Sequence, residues 1–444
     1  LPDGRYILGV HIADVSHYVR PENFIDKEAM LRGNSVYLVD RVIPMLPEKL
    51  SADICSLHEN KDRLTLSFIA EIDTDGKISN PKFKETVIRS KASLNYDDVQ
   101  AFLDGTGNAK IDKAKSKALK AMFEISRVVR EKRLKKGSLD FDLPEPHVFL
   151  DPEGRVLDIV SKRRKPSHEI VEEFMLLANK YAAIYLQGLR APILYRVHGK
   201  PKKEKVEILA GLLKEVGLKF SFKGEVTPIK IQRVLASVRG KPEEQFIEEI
   251  VLRTLAKAAY QPENIGHFGL AFETYTHFTS PIRRYPDLLT HRVLKLILNN
   301  KLNTVVAAEM EINLKSVGDH CTTTEIAAAE AERESVKIKK LEYLSERVGG
   351  VYDGIISGVI KAGIFVELVG SMVEGMIPFG AMEDDYFELE EGLHRARGRK
   401  SKKVFRLGDK VRVVVVRVDM SERRCDFALV RPPKVRKKSA RRKK

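Results

Sequence analysis

Residues 267–292 read HFGLAFETYTHFTSPIRRYPDLLTHR, and they place arginines, hydroxyl groups and aromatic rings around the Ser280–Pro281 step. Guanidinium groups pair bidentately with phosphate oxygens, and aromatic rings stack on nucleobases. This composition favours a site that holds a phosphate beside a base. A Ser-Pro step is also an ordinary start of a helix, with solvated arginines on its first turn. The residues alone leave both interpretations open.

Several other segments combine polar and aromatic residues in a fixed order along the chain. They are HIADVSHYV at 11–19, SVYLVD at 35–40, IPMLP at 43–47, LDFDLPE at 139–145 and IVEEFMLLAN at 170–179. Together with residues 267–292, they resemble in order and spacing the signature segments of the RNB-type exoribonucleases. The resemblance extends over essentially residues 1 to 430, and on these segments the chain is identified as a member of that family.

The composition indicates a folded protein with a polyanionic partner. The 444 residues are enough for two or three domains, and 43% hydrophobic residues are typical of a globular protein. Lysine and arginine total 78 against 62 aspartate and glutamate, which gives a net charge of +16. Such an excess points to RNA, DNA or an acidic membrane surface, and composition alone does not choose among them.

Cysteine usage and hydropathy set the expected compartment. Cys55, Cys321 and Cys425 lie far apart and are odd in number, which indicates neither a disulfide framework nor a zinc knuckle. The sequence lacks the roughly 18 consecutive apolar residues of a membrane span and the pattern of a signal peptide. We therefore expect a soluble protein of the reducing cytoplasm, without a membrane partner.

Hydrophobic periodicity predicts an α+β domain over the first 340 or so residues. Short apolar runs between turn residues, such as 6–12 and 64–72, predict mainly sheet up to about residue 100. Ser167 is predicted to cap a helix. The predicted helices cover 108–136, 167–186, 202–217, 229–260, 287–299 and 306–347.

Beyond residue 350 the pattern changes to short strands with glycine turns, at 351–360, 363–368, 373–378, 410–418 and 424–430. Five such strands predict a small closed barrel of the OB type. The segments VYDG at 351–354 and GIFVEL at 363–368 resemble segments of the S1-type RNA-binding domain. Residues 392–403, rich in arginine and lysine, are predicted to form a flexible basic loop. A protein-binding OB fold is the alternative, and it is less favoured because the loop and tail are so cationic.

The expected organisation follows from these patterns and from the resemblance. An RNB-type α+β catalytic domain is expected at 1–345, and an all-β OB-fold barrel of the S1 RNA-binding type at 346–431. A disordered basic tail is expected at 432–444, where eight lysines and arginines occur without an acidic residue.

The resemblance implies roles for individual residues. Arg283 matches the family arginine that contacts the scissile or adjacent phosphate, where it would stabilise charge in the transition state. Tyr37 and Phe141 match aromatics that clamp the terminal bases. Tyr96 and Glu172 match positions near the terminal nucleotide, where hydrogen bonds to a 2′-hydroxyl would favour RNA over DNA. The further RNA contacts expected from the resemblance are Arg284, Glu332 and, in the barrel, Phe365.

Each of these residues has a structural alternative. Tyr37 and Phe141 could be ordinary core aromatics, and Glu172 an exposed helical carboxylate beside Glu173. Glu332 falls in a long charged helix, where a solvated face is the alternative.

The resemblance also implies a divalent-metal mechanism with Mg²⁺ or Mn²⁺ held by hard oxygen ligands. The family supplies these ligands from a cluster of the form Asp-x₅-Asp-x-Asp-Asp, and no stretch of this sequence matches it. In relatives the cluster lies just before the segment with which this chain opens, so the ligands are expected upstream of Leu1, in an N-terminal part missing here. Asp97–Asp98 and Glu383–Asp385 are interpreted as solvated surface. The histidines are too scattered for a metal triad and are expected to be structural or to contact RNA.

The function implied by the resemblance is processive 3′-5′ hydrolysis of single-stranded RNA to nucleoside 5′-monophosphates. The rival hypothesis is an RNA-binding fragment without hydrolytic activity, because the metal ligands are absent from it. A DNA-binding protein is disfavoured, since no helix-turn-helix or zinc-finger pattern occurs. The expected partner is single-stranded RNA, and a monomer is expected. Binding to structured RNA or to the ribosome stays open.

Overall fold

The structure, a computed structural model, describes residues 1–106, 111–215, 217–218, 220, 222, 224–241, 244–382, 385–390 and 395–430. The predicted basic tail at 432–444 and the acidic residues Glu383 and Asp384 lie outside these residues. The chain divides into two compact units. The first comprises Leu1–Pro144, Arg163–Lys214 and Leu218–Glu334, and the second consists mainly of Glu145–Lys162 and the residues from Ser335 onward.

The mixture of helices and strands up to residue 345 confirms the predicted α+β class. Among the described residues, no helix is long and apolar enough to cross a membrane. In chain order the elements are β1 (Tyr6–Ala13), α1 (Val15–Tyr18), α2 (Phe24–Arg32), β2 (Val36–Tyr37), β3 (Val42–Ile43), β4 (Asp62–Ile72), β5 (Ile78–Arg89), α3 (Tyr96–Leu103), α4 (Lys113–Lys135), β6 (Glu145–Leu150), β7 (Val156–Lys162), α5 (Pro166–Gly188), β8 (Tyr195–Val197), α6 (Lys203–Glu215), α7 (Pro228–Val238), α8 (Glu244–Thr254), β9 (Ala259–Gln261), α9 (Tyr285–Leu298) and α10 (Thr304–Ser345).

A central core of the first unit forms where the antiparallel sheet β1–β4–β5 packs against α5 and α9. Phe68 on β4 and Phe278 are both completely buried. Phe83 on β5 lies between them, with its ring centroid 5.4 Å from that of Phe68 and 5.5 Å from that of Phe278. Phe278 therefore anchors the segment 267–292 to the sheet through the largest buried side chains of this core.

Helix α5 begins differently from the sequence prediction. The Ser167 cap is wrong: Lys165 is the residue before the helix, and Pro166 occupies its first turn. Proline is tolerated there because its missing amide would have no partner inside the helix. The Ser167 amide instead donates to the side-chain oxygen of Gln100 on α3, at 3.1 Å.

Two other predictions for the first unit need correction. The helix predicted at 229–260 is two helices, α7 and α8, followed by strand β9. Gly240 lies in the break with φ +74°, a conformation that glycine adopts without steric cost. The prediction of mainly sheet up to residue 100 missed α1, α2 and a π-helical turn at Lys49–Ile54.

The second unit contains the hairpin β6–β7 and a barrel. After α10 the elements are β10 (Val351–Ile360), β11 (Gly363–Leu368), β12 (Glu374–Pro378), β13 (Phe387–Glu390), β14 (Arg395–Gly398), β15 (Val404–Arg406), β16 (Lys410–Asp419) and β17 (Arg424–Leu429).

Strands β10, β11, β12, β17 and β16 close into a barrel in that order. Neighbouring strands are antiparallel except β12 and β17, which pair in parallel. A five-stranded barrel of this kind is the OB fold that the sequence predicted. The predicted strand limits agree with the observed ones to within one residue, because buried residues recur at alternate positions along strands such as β11 and β12.

The prediction of a flexible basic loop at 392–403 is wrong for Arg395–Gly398, whereas residues 399–403 form the turn that leads to β15. Arg395–Gly398 forms β14, the central strand of the sheet β13–β14–β15. Arg395 and Arg397 both pair with Glu390, and Arg399 pairs with Glu388. Much of the positive charge of this segment is therefore neutralised within the sheet.

The close approach of β11 and β12 yields a test of the barrel. A Cβ added at Gly363 would lie 2.3 Å from the carbonyl oxygen of Ile377, whereas one added at Gly380 would meet nothing within 4 Å. Gly363→Ala should therefore destabilise the barrel by about 1–3 kcal/mol. Gly380→Ala should change stability by less than about 0.5 kcal/mol. Urea unfolding followed by circular dichroism measures both, and equal stabilities would contradict the described strand pairing.

Candidate functional site

Asn179 of α5 holds the loop that precedes α9. Its Nδ2 donates to the hydroxyl of Tyr275 at 3.0 Å, and its Oδ1 accepts from the amides of Phe278 and Thr279 at 2.8 and 3.1 Å. Asn179 is buried, so these bonds form away from water. Leaving a buried polar group unpaired costs about 1–3 kcal/mol, and the loop is therefore fixed in this conformation.

Asp287 in the first turn of α9 holds the next part of the chain. Its Oδ1 accepts from the Ser280 amide at 2.7 Å, and the carboxylate pairs bidentately with Arg284 at 2.7 and 2.8 Å. Asp287 is 0% exposed. The helix begins at Tyr285 with Pro286 in its first turn. The Ser280–Pro281 step is therefore not a helix start but part of a turn before the helix.

Arg283 ends that turn. The amides of Arg283 and Arg284 donate to the Ser280 carbonyl at 3.2 and 3.0 Å, and the Arg283 carbonyl accepts from the Ser35 amide at 3.1 Å. The Arg283 side chain is exposed and makes no hydrogen bond or ion pair with another described residue. Its backbone is fixed while its guanidinium group is available to an outside partner.

Arg283 lines an open cleft of about 210 Å³ in the first unit. The Tyr37 amide donates to Oε1 of Glu332 on α10 at 3.0 Å, and Tyr37 is 45% exposed. The structure places Glu332 in the cleft rather than on a solvated helix face, because it is half-buried and bonded to this amide. The cleft brings together four residues singled out from the sequence: Tyr37, Arg283, Arg284 and Glu332.

The cleft also contains residues that the sequence reasoning missed. Glu325 pairs bidentately with Arg196, at 2.5 and 3.0 Å, and the Arg196 guanidinium lies 4.6 Å from the ring centroid of Tyr260. Glu325 and Tyr260 both line the cleft. Glu325 precedes Glu332 by two helical turns, so the two share one face of α10. That spacing was a sequence signal that could have identified Glu325.

Tyr96 and Glu172 lie in a second group of polar residues, formed by α3, α5 and the segment before β6. Tyr96 stacks on His168 with ring centroids 4.1 Å apart. Glu172 accepts from Arg164 at 2.8 Å, and Arg164 also donates to Asp140 at 2.8 Å. Glu172 is thus half-buried and paired rather than a freely solvated carboxylate.

The remaining predicted RNA contacts and acidic pairs occupy other positions. Phe141 is half-buried against the core that contains Phe268. Phe365 belongs to the second unit, on β11, where it is partly exposed opposite Met376. Asp97 is exposed and pairs with Lys165, as a surface residue would.

Two family models match the chain, the RNB domain over residues 1–300 and the S1 RNA binding domain over residues 345–429. The chain belongs to the RNB family. Ribonuclease R of Thermotoga maritima is 40% identical over 97% of this chain, and that of Aquifex aeolicus is 41% identical over 97%. The chain spans 61% of the length of each of these relatives.

A solved structure shares the architecture of this RNB chain. Mycoplasma genitalium RNase R in complex with ribose methylated single-stranded RNA superimposes with a TM-score of 0.91 and 31% identity. The alignment covers 96% of this chain and 67% of that chain. The sequence prediction of an RNB-type α+β domain followed by an S1-type barrel is confirmed.

The described residues of this RNB chain do not provide a metal-binding group. Among them, no set of three or more histidine, cysteine, aspartate or glutamate side chains is arranged to hold an ion. Asp385, from the predicted acidic stretch, instead accepts hydrogen bonds from the amides of Lys400 and Ser401. The described side chains therefore do not fit the implied Mg²⁺ or Mn²⁺.

Buried histidines support the loop around the RNB cleft. His198 accepts from the Gly269 amide at 2.8 Å, and its Nε2 lies 2.7 Å from the Ala256 carbonyl, so the ring is neutral. Burial, aided by nearby His198 and Arg196, lowers the pKa of His267 to about 3. Burial likewise lowers the pKa of His277 and of His291. These rings are structural groups that remain uncharged near neutral pH.

The Asp287–Arg284 pair can be tested by removing its negative charge. Asp287→Asn leaves the Arg284 guanidinium buried without its counter-charge, which should cost about 3 kcal/mol of folding free energy. Asp319→Asn, on the exposed face of α10, should cost less than about 0.5 kcal/mol. Urea unfolding at neutral pH compares the two variants. A loss below about 1 kcal/mol for Asp287→Asn would show that the pair does not hold the turn.

The depressed histidine pKa values predict acid sensitivity. Below pH 6.5 the unfolded chain binds protons at these histidines while the folded chain does not, so folding stability falls as the pH drops from 6.5 towards 3. His267, whose pKa is lowered to about 3, should contribute about 1.4 kcal/mol to the loss between pH 7.5 and 5.5. His267→Asn should reduce the loss by about that amount, and His58→Asn at an exposed position should not. Urea unfolding at the two pH values measures the difference, and identical slopes for all three proteins would contradict it.

Proposed function

We propose that this chain belongs to a 3′-5′ exoribonuclease that degrades single-stranded RNA processively to nucleoside 5′-monophosphates. The observation that supports it most is the exposed Arg283 guanidinium. The backbone of Arg283 is held at the cleft, and its side chain has no partner among the described residues. A cation presented in this way suits a phosphate oxygen. Family membership connects that cation to RNA hydrolysis.

The two neighbouring arginines have different roles in this proposal. Arg283 contacts the phosphate and stabilises the charge that develops on its oxygens. The Arg284 guanidinium is occupied by Asp287, so Arg284 chiefly positions the turn. Its direct contact with RNA stays a prediction.

Aromatic side chains account for the preference for single strands. Tyr37 and Tyr96 are 45% and 44% exposed, and bases would stack on their rings, on Tyr96 at the face opposite His168. Phe141 would act with Tyr37 to clamp the terminal bases. Glu172 would accept a hydrogen bond from a 2′-hydroxyl, which distinguishes RNA from DNA. Bases inside a duplex cannot stack on such rings without strand separation.

The barrel and the cofactor complete the proposal for the whole protein. The S1-type barrel, with Phe365 on β11, holds RNA with little sequence preference, mainly through phosphate contacts. Family membership implies a divalent ion, Mg²⁺ or Mn²⁺, for the whole protein, and the described residues of this chain supply no group that would hold it. The three cysteine thiols are buried and unpaired, which supports a reducing cytoplasmic location. A monomer is proposed, with structured RNA or the ribosome as further partners.

A second candidate function is RNA binding without hydrolysis by these 444 residues. One observation favours it, namely that the described residues contain no group arranged for a metal ion. Both candidates require the cleft to bind the 3′ end of RNA. They differ in whether this chain can cut it.

Arg283→Ala tests the residue on which the proposal depends. In the full-length protein it should lower the rate of RNA degradation about 10²- to 10³-fold, because a charge-stabilising donor is lost, while RNA affinity falls much less. Arg283→Lys should recover part of the rate, since a point charge replaces the bidentate fork. Arg233→Ala, at an exposed position on α7, is the matched control. Equal losses of rate and affinity in Arg283→Ala would refute the catalytic role.

A degradation assay on this chain separates the two candidate functions. The 444-residue chain is incubated with 5′-labelled single-stranded RNA and Mg²⁺, with and without EDTA, and the products are resolved on a sequencing gel. A chelator-sensitive ladder that shortens from the 3′ end supports an exoribonuclease within this chain. Intact RNA with a salt-dependent shift on a native gel supports RNA binding alone.

A further inference from the structure

A second cavity in the first unit is lined by an excess of lysines. It has a volume of about 260 Å³ and lies between the end of α4, the middle of α5 and the turn that joins β4 to β5. Its lining includes Lys77, Lys132, Lys136 and Lys180. It shares no lining residue with the cleft that contains Arg283.

The acidic residue at this cavity is already neutralised. Glu173 and Arg133 are both buried, and two guanidinium nitrogens of Arg133 donate to the two Glu173 oxygens, at 3.1 and 2.5 Å. The remaining nitrogen of the Arg133 fork donates to the Ser138 hydroxyl. The pair forms a neutral part of the lining, and Glu173 cannot serve as counter-charge for the lysines.

The four lysine side chains are not paired with carboxylates. None of them makes an ion pair or a side-chain hydrogen bond with any residue in the part of the chain that the structure describes. Lys180 is half-buried, and its ammonium lies 5.1 Å from the ring centroid of Phe272. Burial and the neighbouring positive charge of Lys136 lower the pKa of Lys180, and the Glu273 carboxylate offsets part of this effect without pairing with the ammonium.

An alternative explanation is that these four lysines are ordinary surface residues with solvated charges, and it does not account for Lys180. The exposed side chains of Lys77, Lys132 and Lys136 can each reach water. Lys180 differs, because its charge is partly withdrawn from water and its neighbour Lys136 repels it. A bound anion would relieve the repulsion between Lys136 and Lys180.

We propose that this cavity is a phosphate-binding pocket, which takes either inorganic phosphate or the phosphate group of a nucleoside monophosphate. Ammonium groups bind phosphate as point charges, and four of them around one half-open cavity exceed the charge of a phosphate dianion. Leu176, Leu177 and Tyr181 provide an apolar side on which a sugar or base can pack. The proposal does not depend on whether the chain hydrolyses RNA.

The test compares two double variants of equal charge change. Lys136→Gln with Lys180→Gln removes two cations from the pocket. Lys117→Gln with Lys120→Gln removes two exposed lysines from the other part of α4. Isothermal titration calorimetry at low ionic strength uses inorganic phosphate, adenosine 5′-monophosphate and adenosine as probes. The two phosphate-bearing probes should bind the Lys136→Gln, Lys180→Gln variant at least tenfold more weakly than the unaltered chain. Their affinity for the Lys117→Gln, Lys120→Gln variant should stay within about twofold of that for the unaltered chain.

Additional variants locate the binding site, and a comparison of the probes identifies the source of the phosphate. Lys136→Arg with Lys180→Arg should retain binding, and thermal melting confirms that each variant is folded. Arg283→Ala should leave phosphate binding unchanged, which separates this pocket from the proposed RNA cleft. A monophosphate that binds tenfold more tightly than inorganic phosphate identifies a nucleotide pocket, and equal affinities identify a site for phosphate alone.

Four results would overturn the proposal. They are no binding of either phosphate-bearing probe at millimolar concentration, equal weakening in the two glutamine variants, adenosine binding as tightly as its monophosphate, and loss of phosphate binding in Arg283→Ala.

Discussion

The Asp287 carboxylate is completely buried, and it therefore has to keep both its counter-charge and its hydrogen bonds. Arg284 supplies the charge and the Ser280 amide supplies a further donor, so the turn from 280 to 284 can adopt few other shapes. Asn179 restrains the preceding residues in the same manner. The position of the Arg283 backbone follows from these two buried groups, although neither of them touches the open side of the cleft.

Adjacent arginines with the same side chain thus differ in what they can do. Arg284 donates its hydrogen bonds to the buried Asp287 carboxylate, whereas Arg283, one residue earlier, faces solvent. An enzyme that needs a cation for a polyanion must keep that cation away from its own carboxylates. Here Arg283 is kept apart from the Asp287 carboxylate because the side chains of Arg283 and Arg284 point in different directions at the start of α9.

The sequence was sufficient for elements with a strong repeating pattern. The barrel strands were predicted within a residue, since apolar residues alternate with polar ones in strands such as β17, and long helices such as α5 and α10 were predicted from their apolar spacing. The strand β14 was missed because its arginines look like a loop until Glu388 and Glu390 of the neighbouring strand are placed beside them. Glu325 was missed because its seven-residue spacing from Glu332 was not used, although that spacing places both carboxylates on one face of α10. The lysine pocket could not be predicted, since its residues come from three elements far apart in the chain.

The second unit is assembled from two stretches of chain that are distant in sequence. The hairpin β6–β7 belongs to it, and Lys339 donates to the Gly154 carbonyl of that hairpin at 2.6 Å. A ribosome adds roughly 5–20 residues per second, so the hairpin waits on the order of ten seconds or more for its partner to be synthesised. A lone hairpin is marginally stable in water, and the barrel cannot close until β17, its last strand, has emerged. The nascent chain therefore exposes unpaired strand edges late in translation, a stage at which chaperones would protect it from aggregation.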